Sequence, residues 1–149
     1  MKILLSALIF SMTINNTAWL TNINDAKQIA QKENKYILLN FSGSDWCGPC
    51  IRLHKEIFDS NTFSKFADST LVLVSVDFPR MKKNQLSAAQ QKINNATADL
   101  YNPNGIFPYT MLLNANGKVI KIWEGFYNKG AENFTLQVQQ IIAKKFNKK

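Results

Sequence analysis

The chain contains two cysteines, Cys47 and Cys50, which are separated only by Gly48 and Pro49. An apolar run, 36–41, precedes the pair and a helical pattern follows it, so the sequence places both thiols at the first turn of a helix. The N-terminus of a helix presents partial positive charge and free N–H groups, which favour the thiolate of Cys47. Pro49 suits a first turn, because its missing N–H is not needed there. The spacing therefore predicts a disulfide ring that closes and reopens.

The same spacing of cysteines occurs in two other kinds of site. A structural zinc site needs four protein ligands, and the chain offers only His54 beyond the two cysteines. A purely structural disulfide across three residues constrains the unfolded chain little, so it stabilises little. Both alternatives fit this sequence less well than a redox-active pair.

Residues 45–50, Asp-Trp-Cys-Gly-Pro-Cys, lie between the apolar run and the helix, and they resemble the active site of the thioredoxin superfamily. The resemblance extends from Tyr36 to the C-terminal helix. Residues 106–110 resemble the cis-proline segment of that family, and residues 114–118 resemble the hairpin turn that follows it. The implied fold is α/β: a thioredoxin fold with a central mixed sheet, helices on both faces and an insertion before the cis-proline segment.

The resemblance also implies roles for individual residues. Cys47 is expected to be the exposed nucleophile, and Cys50 the shielded thiol that resolves the mixed disulfide. The Phe107–Pro108 bond is expected to be cis and to lie beside the cysteines. The expected substrate groove and its support comprise Trp46, Gly48, Pro49, Phe107, Pro108 and Tyr109.

Periodicity and turn signals predict the elements of such a fold along the chain. The first helix is expected to have Asn24 or Asp25 as its N-cap. An Asn116-Gly117 turn joins the last two strands. The predicted helices are 23–34, 47–58, 62–67, 84–101 and 131–146, and the predicted strands are 36–41, 71–77, 109–113 and 119–123.

Three positions depart from the family pattern. Asn40 occupies the place of a buried aspartate that helps to deprotonate the second cysteine, and Leu73 falls where the lysine partner of that aspartate usually lies. Lys55 replaces a proline that kinks the helix. Because an amide takes up no proton, a base must come from elsewhere. Glu56 is a candidate, although it is also placed to pair with Arg52 at i, i+4. His54 is placed to titrate near the site, and the alternative is an exposed helix histidine.

The segment from Phe78 to Lys92 is extra relative to the family pattern and precedes the cis-proline segment. Similar insertions occur in exported members that share the Ser-Asp-Trp-Cys form of the motif. The segment either shapes the rim of the substrate groove or lengthens a helix, and the sequence does not decide between these roles.

The N-terminus has the pattern of a secretory signal peptide. Lys2 is followed by an apolar stretch, a polar stretch and the small residue Ala18. We therefore predict a signal peptide over 1–18 and a thioredoxin-like domain over 19–149, with an uncleaved anchor as the alternative. The protein is then exported, either periplasmic or secreted, and both of its cysteines belong to the active pair.

The chain has a formal net charge of +8. Lysine pairs at 82–83, 144–145 and 148–149 contribute to it. A nucleic-acid interface would combine a basic stripe with interleaved aromatic residues, and the sequence shows no such stripe. We therefore expect no nucleic-acid partner.

Together these features predict an exported thiol–disulfide oxidoreductase with no cofactor and no metal. The Gly-Pro dipeptide between the cysteines also occurs in reducing thioredoxins, so a reductase is favoured. Its partners would be disulfide-bearing client proteins and a membrane-bound electron donor, while its oligomeric state stays open. The alternative is a binding or assembly module for thiol-bearing clients, which would show little turnover of insulin disulfides.

Overall fold

The computed structural model describes residues 18–146, so all of the predicted signal peptide except Ala18 lies outside the described residues. Within that range, four strands form one sheet in the order β2-β1-β3-β4. β1 and β2 are parallel, whereas β3 pairs antiparallel with both β1 and β4. The strands are β1 (Tyr36–Ser42), β2 (Leu71–Asp77), β3 (Tyr109–Leu113) and β4 (Val119–Glu124).

Helices cover both faces of the sheet. The α-helices are α1 (Ile23–Glu33), α2 (Gly48–Leu53), α3 (Asn61–Thr70), α4 (Ala88–Tyr101) and α5 (Gly130–Phe146). One apolar core joins α1 and α4 to the side chains of one sheet face, including Ile37, Leu39 and Val74. The other joins α2, α3 and α5 to the opposite face, including Leu38, Leu73 and Leu112. The alternation along β1 and β2 explains why both strands are nearly continuous apolar runs: each is covered on both sides. The predicted thioredoxin fold is confirmed.

One predicted N-cap and one predicted helix start were wrong. The N-cap of α1 is Asn22, whose side chain accepts the N–H of Asn24, so the helix begins before the predicted caps. The predicted helix 84–101 begins at Ala88, because the Ser87 side chain caps it by accepting the N–H of Gln90. Residues Lys82–Asn84 form a separate 3₁₀ turn.

The active-site helix changes geometry in its second half. Beyond α2 the chain continues as a π-helical segment, His54–Phe58, in which the N–H of Asp59 donates to the carbonyl of His54 over 2.8 Å. Lys55, at the position of the family's proline, lies inside this segment. π-Helical turns are rare and concentrate at functional sites. Here the irregular turn occurs where the family has a proline kink.

The first described residues already belong to the folded domain. Leu20 pairs with Val74 beside β2, and its N–H donates to the Leu73 carbonyl over 2.8 Å. The Trp19 ring packs against His54 and Phe58, with ring centroids 5.0 Å and 5.2 Å away. The domain therefore includes Trp19.

Candidate active site

The two cysteines form a disulfide at the start of α2. Their Sγ atoms are 2.00 Å apart, and Cys47 is the N-cap residue of the helix. The N–H groups of Cys50 and Ile51 donate to the Cys47 carbonyl over 3.0 Å and 3.1 Å. Pro49 stands in the first turn, where its ring needs no donor. The predicted placement of the pair at a helix N-terminus is confirmed.

The solvent exposure of the two cysteines differs less than predicted. Cys50 is 0% exposed and Cys47 is 5% exposed, although Cys47 was expected to be open to solvent. The bonded sulfurs cover one another in this oxidised state, which accounts for part of that burial. Gly48 and Pro49, between them, are exposed. The Gly-Pro turn is therefore the exposed part of the disulfide ring.

Trp46 is held from several sides. Its indole N–H donates to the Phe78 carbonyl over 2.7 Å, and the Phe107 ring meets it edge-on at 5.5 Å. The Arg80 guanidinium lies over the indole at 3.7 Å, within the range of a cation–π contact. A Cβ at Gly43 would lie 2.3 Å from the indole, so glycine is needed there for the ring to occupy this position.

Asp45 connects the motif to the inserted segment. Its carboxylate accepts the backbone N–H groups of Arg80 and Met81, each over 2.9 Å, and the side-chain amide of Asn84 over 3.0 Å. The Arg80 N–H foremost, with the Asn84 and Met81 donors, lowers the pKa of the Asp45 carboxyl. The inserted segment is therefore tied to the residue two positions before Cys47. It borders the site and does not merely extend α4.

The cis-proline segment meets the same group of rings. The Phe107–Pro108 bond is cis. The Phe107 ring lies 5.7 Å from that of Phe78 as well as against Trp46. Pro108 is buried and accepts the Gly125 N–H over 2.8 Å, and the next residue, Tyr109, is buried. The structure thus brings the 107–109 segment to the Trp46 side of the motif.

Asn40 forms a buried polar network beside the active-site helix. The residue is 0% exposed, and its amide nitrogen donates to Thr110 Oγ1 over 2.9 Å. Its Oδ1 therefore faces His54 Nε2 at 3.3 Å, and this arrangement assigns the proton of the neutral ring to Nε2. The backbone N–H of His54 donates to the Cys50 carbonyl, one turn earlier on the helix. The network replaces the family's buried acid with an amide and an imidazole.

His54 is half-buried, so the interpretation of an exposed helix histidine was wrong. It is covered by Trp19 and by Phe58, whose ring centroids lie 5.0 Å and 5.1 Å from that of its imidazole. Burial lowers the pKa of His54, because it disfavours the charged imidazolium, while the charges of Asp59 and Asp77 oppose the shift. The neutral form is therefore favoured in the fold.

Glu56 lies in a different environment. Its carboxylate pairs with Arg52 over 2.9 Å, and its side chain is 45% exposed. Arg52 in turn lies 4.2 Å over the Phe126 ring. This is the i, i+4 ion pair that the sequence offered as the alternative to a base.

Residues 18–146 contain no group of three histidine, cysteine or acidic side chains that could hold a metal ion. Sequence reasoning assigned no role to Asp45, Gly43, Arg80 or Thr110. Asp45 had a signal, since it precedes the Trp-Cys pair, but its partners lie more than 30 positions away.

Comparison with known proteins places this geometry in a family. The family model described as a thioredoxin-like domain matches residues 23–141. Disulfide bond reductase DsbH of Chlamydia pneumoniae is 36% identical over 118 residues, which cover 79% of this chain and 69% of that protein. Thioredoxin-related protein DsbJ of the same organism is 29% identical over 79 residues, although this chain spans only 23% of its length.

Solved structures agree with the sequence matches. A structure titled DsbH oxidoreductase has a TM-score of 0.74 and 28% identity, covering 93% of this chain and 94% of its own. A thioredoxin from Thermus thermophilus, at 14% identity, shares the fold with a TM-score of 0.62 and covers 86% of this chain and 89% of its own. With its Cys47–Cys50 disulfide at the head of α2, the chain belongs to the thioredoxin-like family of thiol–disulfide oxidoreductases.

Proposed function

We propose that the protein is an exported reductase that transfers electrons from a membrane-bound donor to disulfides in client proteins. The observation that carries the proposal is the Cys47–Cys50 disulfide at the N-terminus of α2, with the Gly-Pro turn exposed above it. A pair in that position accepts and returns two electrons without a cofactor.

The reaction proceeds in two exchanges. In the reduced protein the Cys47 thiolate attacks one sulfur of a client disulfide, forms a mixed disulfide and expels the other client sulfur as a thiolate. Cys50 then loses its proton and attacks Cys47 Sγ, which reforms the Cys47–Cys50 bond and releases the second client thiolate. The client gains two electrons and the protein loses two. The donor restores the dithiol.

Two observations support the reducing direction. Gly-Pro between the cysteines is shared with thioredoxins, whose potentials lie near about −270 mV. The relative from Chlamydia pneumoniae at 36% identity is called a disulfide bond reductase. We therefore expect the Cys47/Cys50 pair to be more reducing than glutathione.

Two features support export with cleavage after Ala18. The pattern of residues 1–18 is that of a signal peptide, and among the described residues Trp19 and Leu20 are the first with core contacts. No helix in residues 18–146 has the length and apolarity to cross a membrane. Outside the cytoplasm, a reductase is remote from cytosolic electron sources, so a donor in the membrane would supply it.

The direct test is the reduction potential of the pair, measured by equilibration with glutathione and alkylation of the free thiols. A value near about −270 mV supports the reductase, whereas a value above about −180 mV would assign an oxidant or an isomerase instead. Insulin reduction with dithiothreitol as the electron source provides the second readout. Absence of turnover would favour the binding or assembly module.

The order of the two cysteines is tested by trapping. Cys50→Ser should accumulate mixed disulfides with clients, because the resolving thiol is missing, whereas Cys47→Ser should trap few. The measurement is non-reducing electrophoresis after each reduced variant has been incubated with client proteins that contain disulfides. Equal trapping by both variants would contradict the assignment of Cys47 as nucleophile.

A further inference from the structure

The inserted segment forms one wall beside the disulfide, and we call residues 78–85 the rim. Asp45 holds the rim through the N–H groups of Arg80 and Met81 and the amide of Asn84. A further hydrogen bond, from the Gln85 amide to the Pro79 carbonyl over 3.1 Å, closes the rim on itself. These contacts fix the rim relative to Cys47, because Asp45 is only two residues from it.

The side chains that the rim presents are cationic. Lys82 and Lys83 lie between the two points at which Asp45 holds the segment, and both are exposed. Neither forms an ion pair with any residue of the described chain, whose ion pairs are those of Lys35 and Arg52. No acidic residue occurs from 78 to 98. Two exposed lysines thus lie on the segment that Asp45 holds, without an ion pair to any described residue.

The rim also carries the exposed side chain of Met81 and the guanidinium of Arg80. Met81 is 48% exposed, and Arg80 stacks over Trp46, whose other neighbour is Phe107 of the cis-proline segment. A polypeptide that contacts Trp46 and Phe107 would therefore lie next to the segment that carries Met81 and the two lysines. Charges placed at the edge of an interface act on the association rate and on partner choice.

We propose that the rim selects client proteins whose disulfide is flanked by acidic residues. The inference rests on the proposed exchange with protein clients and adds a substrate preference to it. Lys82 and Lys83 attract the flanking carboxylates before the sulfurs meet, so the preference lies in the rate of mixed-disulfide formation. Solvated cations of this kind are screened by salt, with a Debye length of about 10 Å at 0.1 M.

The test uses the reduced protein and three peptides with one intramolecular disulfide each, flanked by Glu-Glu, Gln-Gln or Lys-Lys. Single-turnover oxidation, stopped by acid and followed by alkylation, gives a second-order rate constant for each peptide. At low salt we expect the Glu peptide to react about 10-fold faster than the Gln peptide, and the Lys peptide to be the slowest. At 0.5 M salt the three constants should converge to within about 2-fold.

A double variant, Lys82→Gln with Lys83→Gln, should lower the preference for the Glu peptide to about 2-fold. The matched control, Lys144→Gln with Lys145→Gln, removes the same charge from the last turn of α5 and should leave the preference intact. Bis(2-hydroxyethyl) disulfide, which is small and uncharged, should oxidise all three proteins at equal rates. The oxidation rate with that substrate measures the reactivity of the cysteine pair independently of the rim.

Three results would overturn the inference. Equal rates for the three peptides would exclude charge selection, and an equal loss in both double variants would assign it to the overall charge. Equal peptide rates, together with binding to phosphatidylglycerol vesicles that is lost with Lys82→Gln and Lys83→Gln, would make the rim a membrane contact. Failure of every disulfide, including the small one, to oxidise the reduced protein would instead contradict the proposed function itself.

Discussion

Replacing Asn40 by aspartate puts an acid into the buried network beside the active-site helix. The new carboxyl would meet the Thr110 hydroxyl and His54 Nε2, which now lie 2.9 Å and 3.3 Å from the amide. Thr110 Oγ1 now accepts, and its hydroxyl can rotate to donate, so both contacts survive the exchange. Asn40→Asp therefore changes charge while it keeps shape.

The cost follows from burial. Asn40 is 0% exposed, and full burial raises the pKa of a carboxyl by up to about 3–5 units above its unfolded value near 3.9. At pH 7 a pKa raised above 7 adds no further cost, so only the part of the shift between about 3.9 and 7 lowers the stability. At about 1.36 kcal/mol per pKa unit, this limits the loss in the free energy of unfolding to about 4 kcal/mol. Hydrogen bonds from His54 and Thr110 stabilise the carboxylate, so we expect a loss of about 2–4 kcal/mol in the free energy of unfolding.

The sign of the pH dependence is fixed by the raised pKa. As pH increases, the unfolded state loses the proton first, so the variant loses stability from about pH 4 upwards until the folded carboxyl also ionises. Below about pH 4 both states are protonated and the cost disappears. Domains of this size have about 5–15 kcal/mol of stability, so the variant should remain folded at pH 7.

Urea unfolding of the oxidised protein at pH 4 and pH 7.5, followed by circular dichroism, measures the loss. Asn40→Leu is the control, because it has a similar size and adds no ionisable group. It loses both hydrogen bonds of the amide, so it should show a loss that does not depend on pH. An Asn40→Asp profile parallel to that of Asn40→Leu would refute the buried-charge reasoning.

The same variant tests the base for Cys50. A carboxyl at position 40 restores the family's acid, so it should shorten the lifetime of the Cys47 mixed disulfide near pH 7. Quenched-flow trapping of the mixed disulfide measures this lifetime. An unchanged lifetime, with slower resolution in Glu56→Gln, would place the base at Glu56 instead.

Two other substitutions test the surroundings of the disulfide. Burial lowers the pKa of His54, so below its unfolded pKa near 6.5 the unfolded state takes up the proton more readily than the folded state. The free energy of unfolding should therefore decline as pH falls below about 6.5. His54→Gln should flatten this decline, measured by urea unfolding between pH 7.5 and 5. An equally steep decline in the variant would exclude His54 as its source. Gly43→Ala should displace the Trp46 ring, which lies 2.3 Å from the added Cβ, and should cost about 1–3 kcal/mol in urea unfolding. Gly48→Ala, where an added Cβ meets nothing within 4 Å, is the control, and equal losses in both would contradict the argument.

Much of the fold is determined locally and was readable from the sequence. The apolar runs of β1 and β2 require cover on both faces, and the hairpin turn places Gly117 at φ 84°, a conformation that glycine adopts without strain. The position of Cys47 and Cys50 at a helix start follows from their spacing and from Pro49. These features depend on residues near one another in the chain, so pattern and residue type suffice to predict them.

The surroundings of the disulfide were decided by the tertiary structure. Asn40 and Thr110 are 70 positions apart in the chain, and Trp19 reaches His54 only because Leu20 pairs beside β2. The sequence left it open whether the inserted segment borders the site or lengthens a helix. The hydrogen bonds from Arg80 and Met81 to Asp45 show that it borders the site. The periodicity of apolar residues along a helix or strand predicts which of its side chains are buried and which are exposed. It carries no information about which distant residue each side chain will meet, because that depends on how the sheet and helices pack.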